Sequence, residues 1–301
     1  MKKIFFVSLV LSLSLLFTSC ETLLEAIESS NPQTAEELAF SNVIKTGSNA
    51  FEELTIENEY YIGRAVAAAI TNKYKIYYGA PKTTEYLNKI CNAIVLNSGA
   101  EPLFEGYHVA IMDTNDINAM ATPGGHIFVS KGLISCTDSE DALAAVLAHE
   151  IAHIQLKHSI KAIKKSRRNS FIGSAISFAG LMAIDAYDIP IDVSKEDLES
   201  LYVATDVILG TLINSGYSKA QEFEADKKAL SLMNATGYDP NAMLDMLNMV
   251  KEKTSGAKSG WNSTHPSPEK RIKKVSKQLK KITFTGSDKS VRQERFNKNK
   301  F

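Results

Sequence analysis

The chain has 301 residues, 44% of them hydrophobic, with 34 Lys and Arg balanced by 34 Asp and Glu. That is apolar material for one large domain or two small ones. A formal charge of zero leaves no basic excess to neutralise phosphates, which argues against nucleic acid as the main partner, and the lack of an internal repeat argues against a solenoid.

Residues 1–19 read as a signal peptide rather than part of the fold. Lys2 and Lys3 make a positive start, Ile4 to Phe17 is an apolar run short for a bilayer span, and Thr18, Ser19 and Cys20 supply a small-residue end. The pattern resembles a bacterial lipoprotein signal, with Cys20 lipidated and the mature protein held on a lipid bilayer facing the periplasm, on the outer membrane in preference to the inner. Ordinary secretion with a nearby cut, or an uncleaved anchor, are the other readings. Cutting before Cys20 removes two lysines and no acid, leaving 32 basic residues against 34 acidic ones. Outside the cytoplasm, Cys91 and Cys136 are either two buried thiols or a disulfide.

Residues 20–50, with Pro32 and a Gly47-Ser48-Asn49 cluster, read as a tether. Helical periodicity then runs from Phe51 to about Tyr74, and again from Thr84 to Leu96 ahead of Gly99. The period changes to two at Tyr107–Met112 and His126–Ser130, which predicts strands. Gly124 and Gly125 stand before the second. Such a pair lets a backbone approach closely, which suits an edge strand that pairs with an extended peptide through Gly124, Gly125, Ile127 and Val129; a plain hairpin with a glycine turn is the alternative.

Thr137-Asp138-Ser139-Glu140 has the form of a capping box, opening a helix predicted to reach about His158. On it lies Leu147-Ala148-His149-Glu150-Ile151-Ala152-His153. Residues four apart share a helix face, so His149 and His153 can present two imidazoles to one metal ion, with Glu150 placed to take a proton from a water on that metal. Burying these groups among Ala, Val, Leu and Ile costs several kcal/mol unless something compensates them. A metal does so; a pair of satisfied core histidines is the alternative. The pattern is not that of a metzincin, because Leu156 and Ser159 stand where Gly and His are required. His158, one residue out of register, reads as a helix C-terminal or solvent-facing residue.

Basic residues from Lys157 to Arg168 precede an apolar run, Phe171 to Ile184, which at this length reads as a buried or site-covering helix rather than a membrane span. A further helix is predicted over Asp192–Asn214. Ser218 to Gln221 forms a second capping box. Of the acids after it, Glu222 and Asp226 share a face: Glu222 can complete a site of two His and one Glu, and Asp226 can hydrogen-bond a ligand imidazole. Glu224 lies about 160° away around the helix and points elsewhere. Solvated acids favouring the helix dipole are the alternative reading of this cluster.

The ordered motifs Asn118 to Gly125, Leu147 to His153, Glu222 to Asp226, and His265-Pro266 with Arg271-Ile272 resemble the M48 family of zinc metallopeptidases over about Thr55 to Lys280. The 68 residues between His153 and Glu222 suit that family, which inserts helical structure there. The resemblance implies an α+β, mostly helical zincin-like domain with a small sheet whose edge strand borders the cleft. It also implies one Zn2+ held by His149, His153 and Glu222, with Glu150 as general base and polypeptide substrates, here unfolded envelope proteins. Asp226 is a proton donor in some descriptions of the family. His265 and Arg271 belong to a segment that comes near the metal in the family, with Ser267 and Pro268 starting a helix behind it; a surface His-Pro turn is the alternative. A metal-binding lipoprotein that is proteolytically silent or regulated, acting as a chaperone or assembly factor, is the competing function. The domain spans 51–282, and 283–301 reads as a polar, mobile tail.

Overall fold

The computed structural model describes residues 54–166, 168–169, 208, 210–254, 261, 265, 268–284, 286 and 288–301. The signal peptide with Cys20, the tether, the 171–184 run, most of the helix expected over 192–214, and Pro266 and Ser267 lie outside the described residues. Leu54–Ile163 and Glu196–Phe301 form one compact unit, which holds all the elements below.

Helix α1, Ile56–Lys73, starts at a reciprocal capping box between Thr55 and Asn58, and α2, Pro81–Leu96, starts with proline in its first turn. Strands β1 (His108–Met112), β2 (Ala119–Ala121) and β3 (His126–Ser130) form one mixed sheet in the order β1-β3-β2. β3 runs parallel to β1, with Val109 opposite Ile127, and antiparallel to β2, with Ala121 opposite Ile127. The strand carrying Ile127 and Val129 is therefore central and both its edges are taken. This corrects its expected place at the rim: the hairpin lies between β2 and β3, and β2 is the outer strand on that side.

The glycine pair is closely approached by this chain's own backbone. Gly124 and Gly125 have φ of +73° and +99°. A Cβ on Gly124 would sit 2.6 Å from Tyr60 Cα, and one on Gly125 would sit 2.1 Å from the Gly106 carbonyl. α1 presses on the same turn from its own glycine, since a Cβ on Gly63 would lie 1.7 Å from the Pro123 carbonyl. Gly63→Ala is expected to destabilise the protein by about 1–3 kcal/mol, the range for forcing extra volume into packed structure. The roughly 1 kcal/mol that Ala gains over Gly in a helix cannot offset a clash with backbone. A urea midpoint equal to or above that of the parent protein would refute this close approach.

Helix α3, Lys131–Cys136, is capped by Ser130. Thr137 closes it, its hydroxyl donating to the Ile134 carbonyl at 2.7 Å, and Ser139 caps the next helix by accepting from Ala142 N–H at 3.1 Å. That helix, α4, spans Glu140–Gln155, beginning at a different cap from the expected Thr137 and stopping short of His158. Every residue from Glu140 to Ile154 is buried. A helix enclosed on all sides is the centre of its domain. Chain 158–163 is again helical. After a π-helical turn at Gly210–Ser215, α5 (Lys219–Thr236) opens with the expected capping box of Ser218 and Gln221 and ends at Gly237 with φ +87°. α5 packs along α4, and α6 (Ala242–Lys253) and α7 (Pro268–Leu279) complete that side.

The expected mobile tail is a helix, α8, Lys289–Asn299, capped by Asp288. Its polar sequence conceals a one-sided pattern in which Arg292 and Phe296, four apart, are both buried. Arg292 Nε lies 2.9 Å from Asp141, and Arg295 Nη2 lies 2.5 Å from Glu140, so α8 holds the acidic first turn of α4. Cys91 and Cys136 are both free thiols, the first fully buried, and burial pushes Cys91 up to about 12. No helix among the described residues is long and apolar enough to cross a membrane.

Candidate active site

α4 and α5 bring together residues more than sixty positions apart. His149 and His153 face each other, with their Nε2 atoms 3.1 Å apart. Glu222 closes the third side: its two oxygens lie 3.5 Å from His149 Nε2 and 3.5 Å from His153 Nε2. Four ligands bound about 2.0–2.1 Å from a tetrahedral zinc stand about 3.4 Å from one another, so these separations suit a shared ion. His265 joins them, and one donor atom from each of the four side chains lies within 4.8 Å of the others. All four are buried.

The protonation of the group also fits a cation. Burial works against a charged Glu222, but His265 and Arg271 outweigh it and hold the carboxyl well below its usual range. Burial, reinforced by His149, lowers His153 well below an ordinary imidazole. His149 moves the other way, up to about 9: burial and Arg271 oppose a proton there, while Asp226 and Glu222 prevail. A positive charge thus belongs between these carboxylates, whether carried by His149 or by a metal ion that replaces its proton.

Around this centre the outer atoms are held. His149 Nδ1 lies 3.1 Å from Asp226 Oδ1. Arg271, itself buried, grips Asp226 through two bonds, Nη2 to Oδ1 at 2.6 Å and Nε to Oδ2 at 2.9 Å, and reaches Glu222 Oε2 with Nη1 at 3.1 Å. His265 Nδ1 lies 3.0 and 3.1 Å from the Glu222 oxygens, and its Nε2 lies 3.9 Å from Glu150 Oε1. That Glu150 oxygen is buried and has no hydrogen-bond partner. Burial raises the Glu150 pKa, against the pull of His265 and His149. A small space beside it is lined by Ala119, Met120, Glu150, Leu212, Tyr217 and His265, which brings β2 to the site. Gly124, Gly125, Ile127 and Val129 are not among the residues lining it.

Several residues at the site were not singled out for it in the sequence. Tyr217 stacks on His153 with centroids 4.1 Å apart, and Trp261 stacks on His265 at 4.2 Å. The one tryptophan in the chain stands four residues before His265, a helical neighbour spacing that could have signalled the pair. His158 is fully buried rather than solvent-facing, with Nδ1 2.8 Å from His153 Nδ1. Glu224 does not point clear of the site either, since its Oε2 lies 3.3 Å from His158 Nε2.

Two helices converging a His-Glu-x-x-His face and a glutamate on one buried centre, with a small mixed sheet beside them, define a zincin-like metallopeptidase domain. Residues 81–279 match the profile of Peptidase family M48, and the chain belongs to that family. It is 34% identical over 199 residues to the "Mitochondrial metalloendopeptidase OMA1" of Schizosaccharomyces pombe, covering 65% of this chain and 53% of that protein. It is 25% identical over 232 residues to the "Beta-barrel assembly-enhancing protease" of Escherichia coli K12, covering 75% and 45%, and 28% identical over 200 residues to "Metalloprotease LoiP" of the same strain, covering 65% and 71%. The chain spans about half the length of the first two.

Proposed function

We propose that this chain is a zinc-dependent endopeptidase of the bacterial cell envelope, anchored by a lipid on Cys20, that cuts unfolded or misassembled proteins. The observation that carries the reading is the convergence of His149, His153 and Glu222 beside Glu150, whose Oε1 is buried with no hydrogen-bond partner. A structural metal site has no use for a base at its rim. The lipid anchor rests on the Lys2 to Cys20 pattern, and the envelope substrates on relatives named for assembly of β-barrels and on that anchor.

His149, His153 and Glu222 would hold the ion, which when bound supplies Lewis acidity that polarises a scissile carbonyl and lowers the pKa of water toward neutrality. Glu150, on the same helix as the two imidazoles, takes the water's proton and passes it to the leaving amine. Asp226 fixes the His149 tautomer from Nδ1, and Arg271 fixes Asp226. With β3 enclosed, an extended substrate would pair with the outer edge of β2 at Ala119–Ala121, antiparallel strand addition at the strand that reaches Glu150.

Purified wild type is expected to hold one zinc per chain and to digest casein; stripping with a chelator abolishes digestion and added Zn2+ restores it. Digestion that survives complete metal removal sinks the proposal.

His265 favours a second, regulated state of the same protein. A catalytic zinc keeps one position open, whereas a fourth side-chain donor within 4.8 Å of the other three would close it. In this reading His265→Ala retains zinc on three ligands and raises casein cleavage severalfold. Reduced cleavage assigns His265 to the reaction instead of to its restraint, and unchanged cleavage refutes the restraint.

A further inference from the structure

In a straight helix, position 158 would stand about 140° around from position 153 and could not meet it. The chain avoids this by ending α4 and passing through Lys157 in the left-handed region, at φ +53°, the one such non-glycine among the described residues. Left-handed backbone is rare outside glycine and persists only where its surroundings impose it. Lys157 is tied to α1 by a 2.6 Å ion pair with the buried Glu59. The two residues after this turn both act on His153. His158 meets the edge of its ring at Nδ1. Ser159 shares a 2.6 Å hydrogen bond with the hydroxyl of Tyr217, whose ring lies on the face of His153 at 17° to it.

If His153 offers Nε2 to the metal, its ring proton is on Nδ1. One arrangement of protons then satisfies every bond. His153 Nδ1–H donates to His158 Nδ1, and His158 Nε2–H donates to Glu224 Oε2, 3.3 Å away. We propose that His158 and Glu224 are positioning residues for the metal ligand His153, a carboxylate–imidazole–imidazole relay that matches on one side of the site what Asp226 does directly for His149 on the other. The relay starts in the buried centre and ends in a carboxylate that is 56% exposed, so water can replace its outer member but not its inner one. The proposal rests on His149, His153 and Glu222 being metal ligands.

The test is zinc affinity, measured by competition with a chromophoric chelator on purified full-length protein, together with the thermal stability of the metal-free form. His158→Leu is expected to weaken zinc binding about 10- to 100-fold, the usual range for losing a group that orients a ligand. His158→Asn, whose side-chain oxygen can accept from His153 Nδ1, should recover most of that loss. Glu224→Ala, at an exposed position that threatens no fold, should weaken binding severalfold. A merely structural His158 would lower the melting temperature of metal-free protein without rescue of affinity by Asn. Should His158→Leu and Glu224→Ala bind zinc within twofold of wild type while Glu222→Ala loses it, the relay is overturned and the zinc site stands. Failure of wild type itself to bind stoichiometric zinc overturns both.

Discussion

Glu150→Gln is expected to bind zinc as wild type does and to lose at least about 100-fold in casein cleavage, the lower end of what a positioned acid–base group contributes. The substitution is nearly isosteric, and Glu150 is not within the set that converges on the ion, so metal content should be untouched. What changes is basicity. The Glu150 Oε1 atom is buried without a hydrogen-bond partner, and burial holds its pKa above that of an ordinary carboxyl. A carboxylate so placed is a better proton acceptor than one in water, and an amide cannot substitute for it. Zinc stoichiometry and initial cleavage rates on the same preparation decide the matter. Undiminished cleavage would remove Glu150 from its role, whereas lost zinc would show that the variant disturbed the ligands.

What the sequence made legible was local. The spacing of His149 to His153, the four-residue step from Glu222 to Asp226 and the capping box at Ser218 each depend on the helical period alone, and each appears as expected. What it concealed depended on backbone that leaves the period. His158 is one residue off the metzincin pattern and so reads as a helix-end or solvent-facing residue; the left-handed Lys157 ends α4 and turns His158 in to His153. Gly124 and Gly125 signalled a close approach of backbone but not whose; they receive Tyr60 and Gly106. Strand order likewise does not follow from strand pattern, since three short residues, Ala119–Ala121, insert beside β3 and convert an expected rim strand into the middle of the sheet. In α8, the signal of burial was spread over one aromatic and one arginine whose partner, Asp141, lies 151 positions earlier.

Arg271→Ala is expected to cost about 3–5 kcal/mol of stability in the metal-free protein, the range for removing one member of a buried ion group. The guanidinium, fully buried, is the cation set between Asp226 and Glu222, and those two carboxylates stand 0–1% exposed. Without it both are left charged in a low-dielectric setting with only imidazoles to neutralise them. Arg271→Lys should recover little, because a single ammonium cannot reproduce the two-pronged grip on Asp226 at 2.6 and 2.9 Å while also reaching Glu222. Bound zinc supplies positive charge to the same carboxylates, so saturating metal should restore part of the loss in Arg271→Ala and add less to wild type. Urea unfolding of each variant with and without zinc measures all of these terms. An Arg271→Ala protein as stable as wild type without metal would mean that the carboxylates take up protons at negligible cost, and the account of Arg271 as their counter-charge would fail.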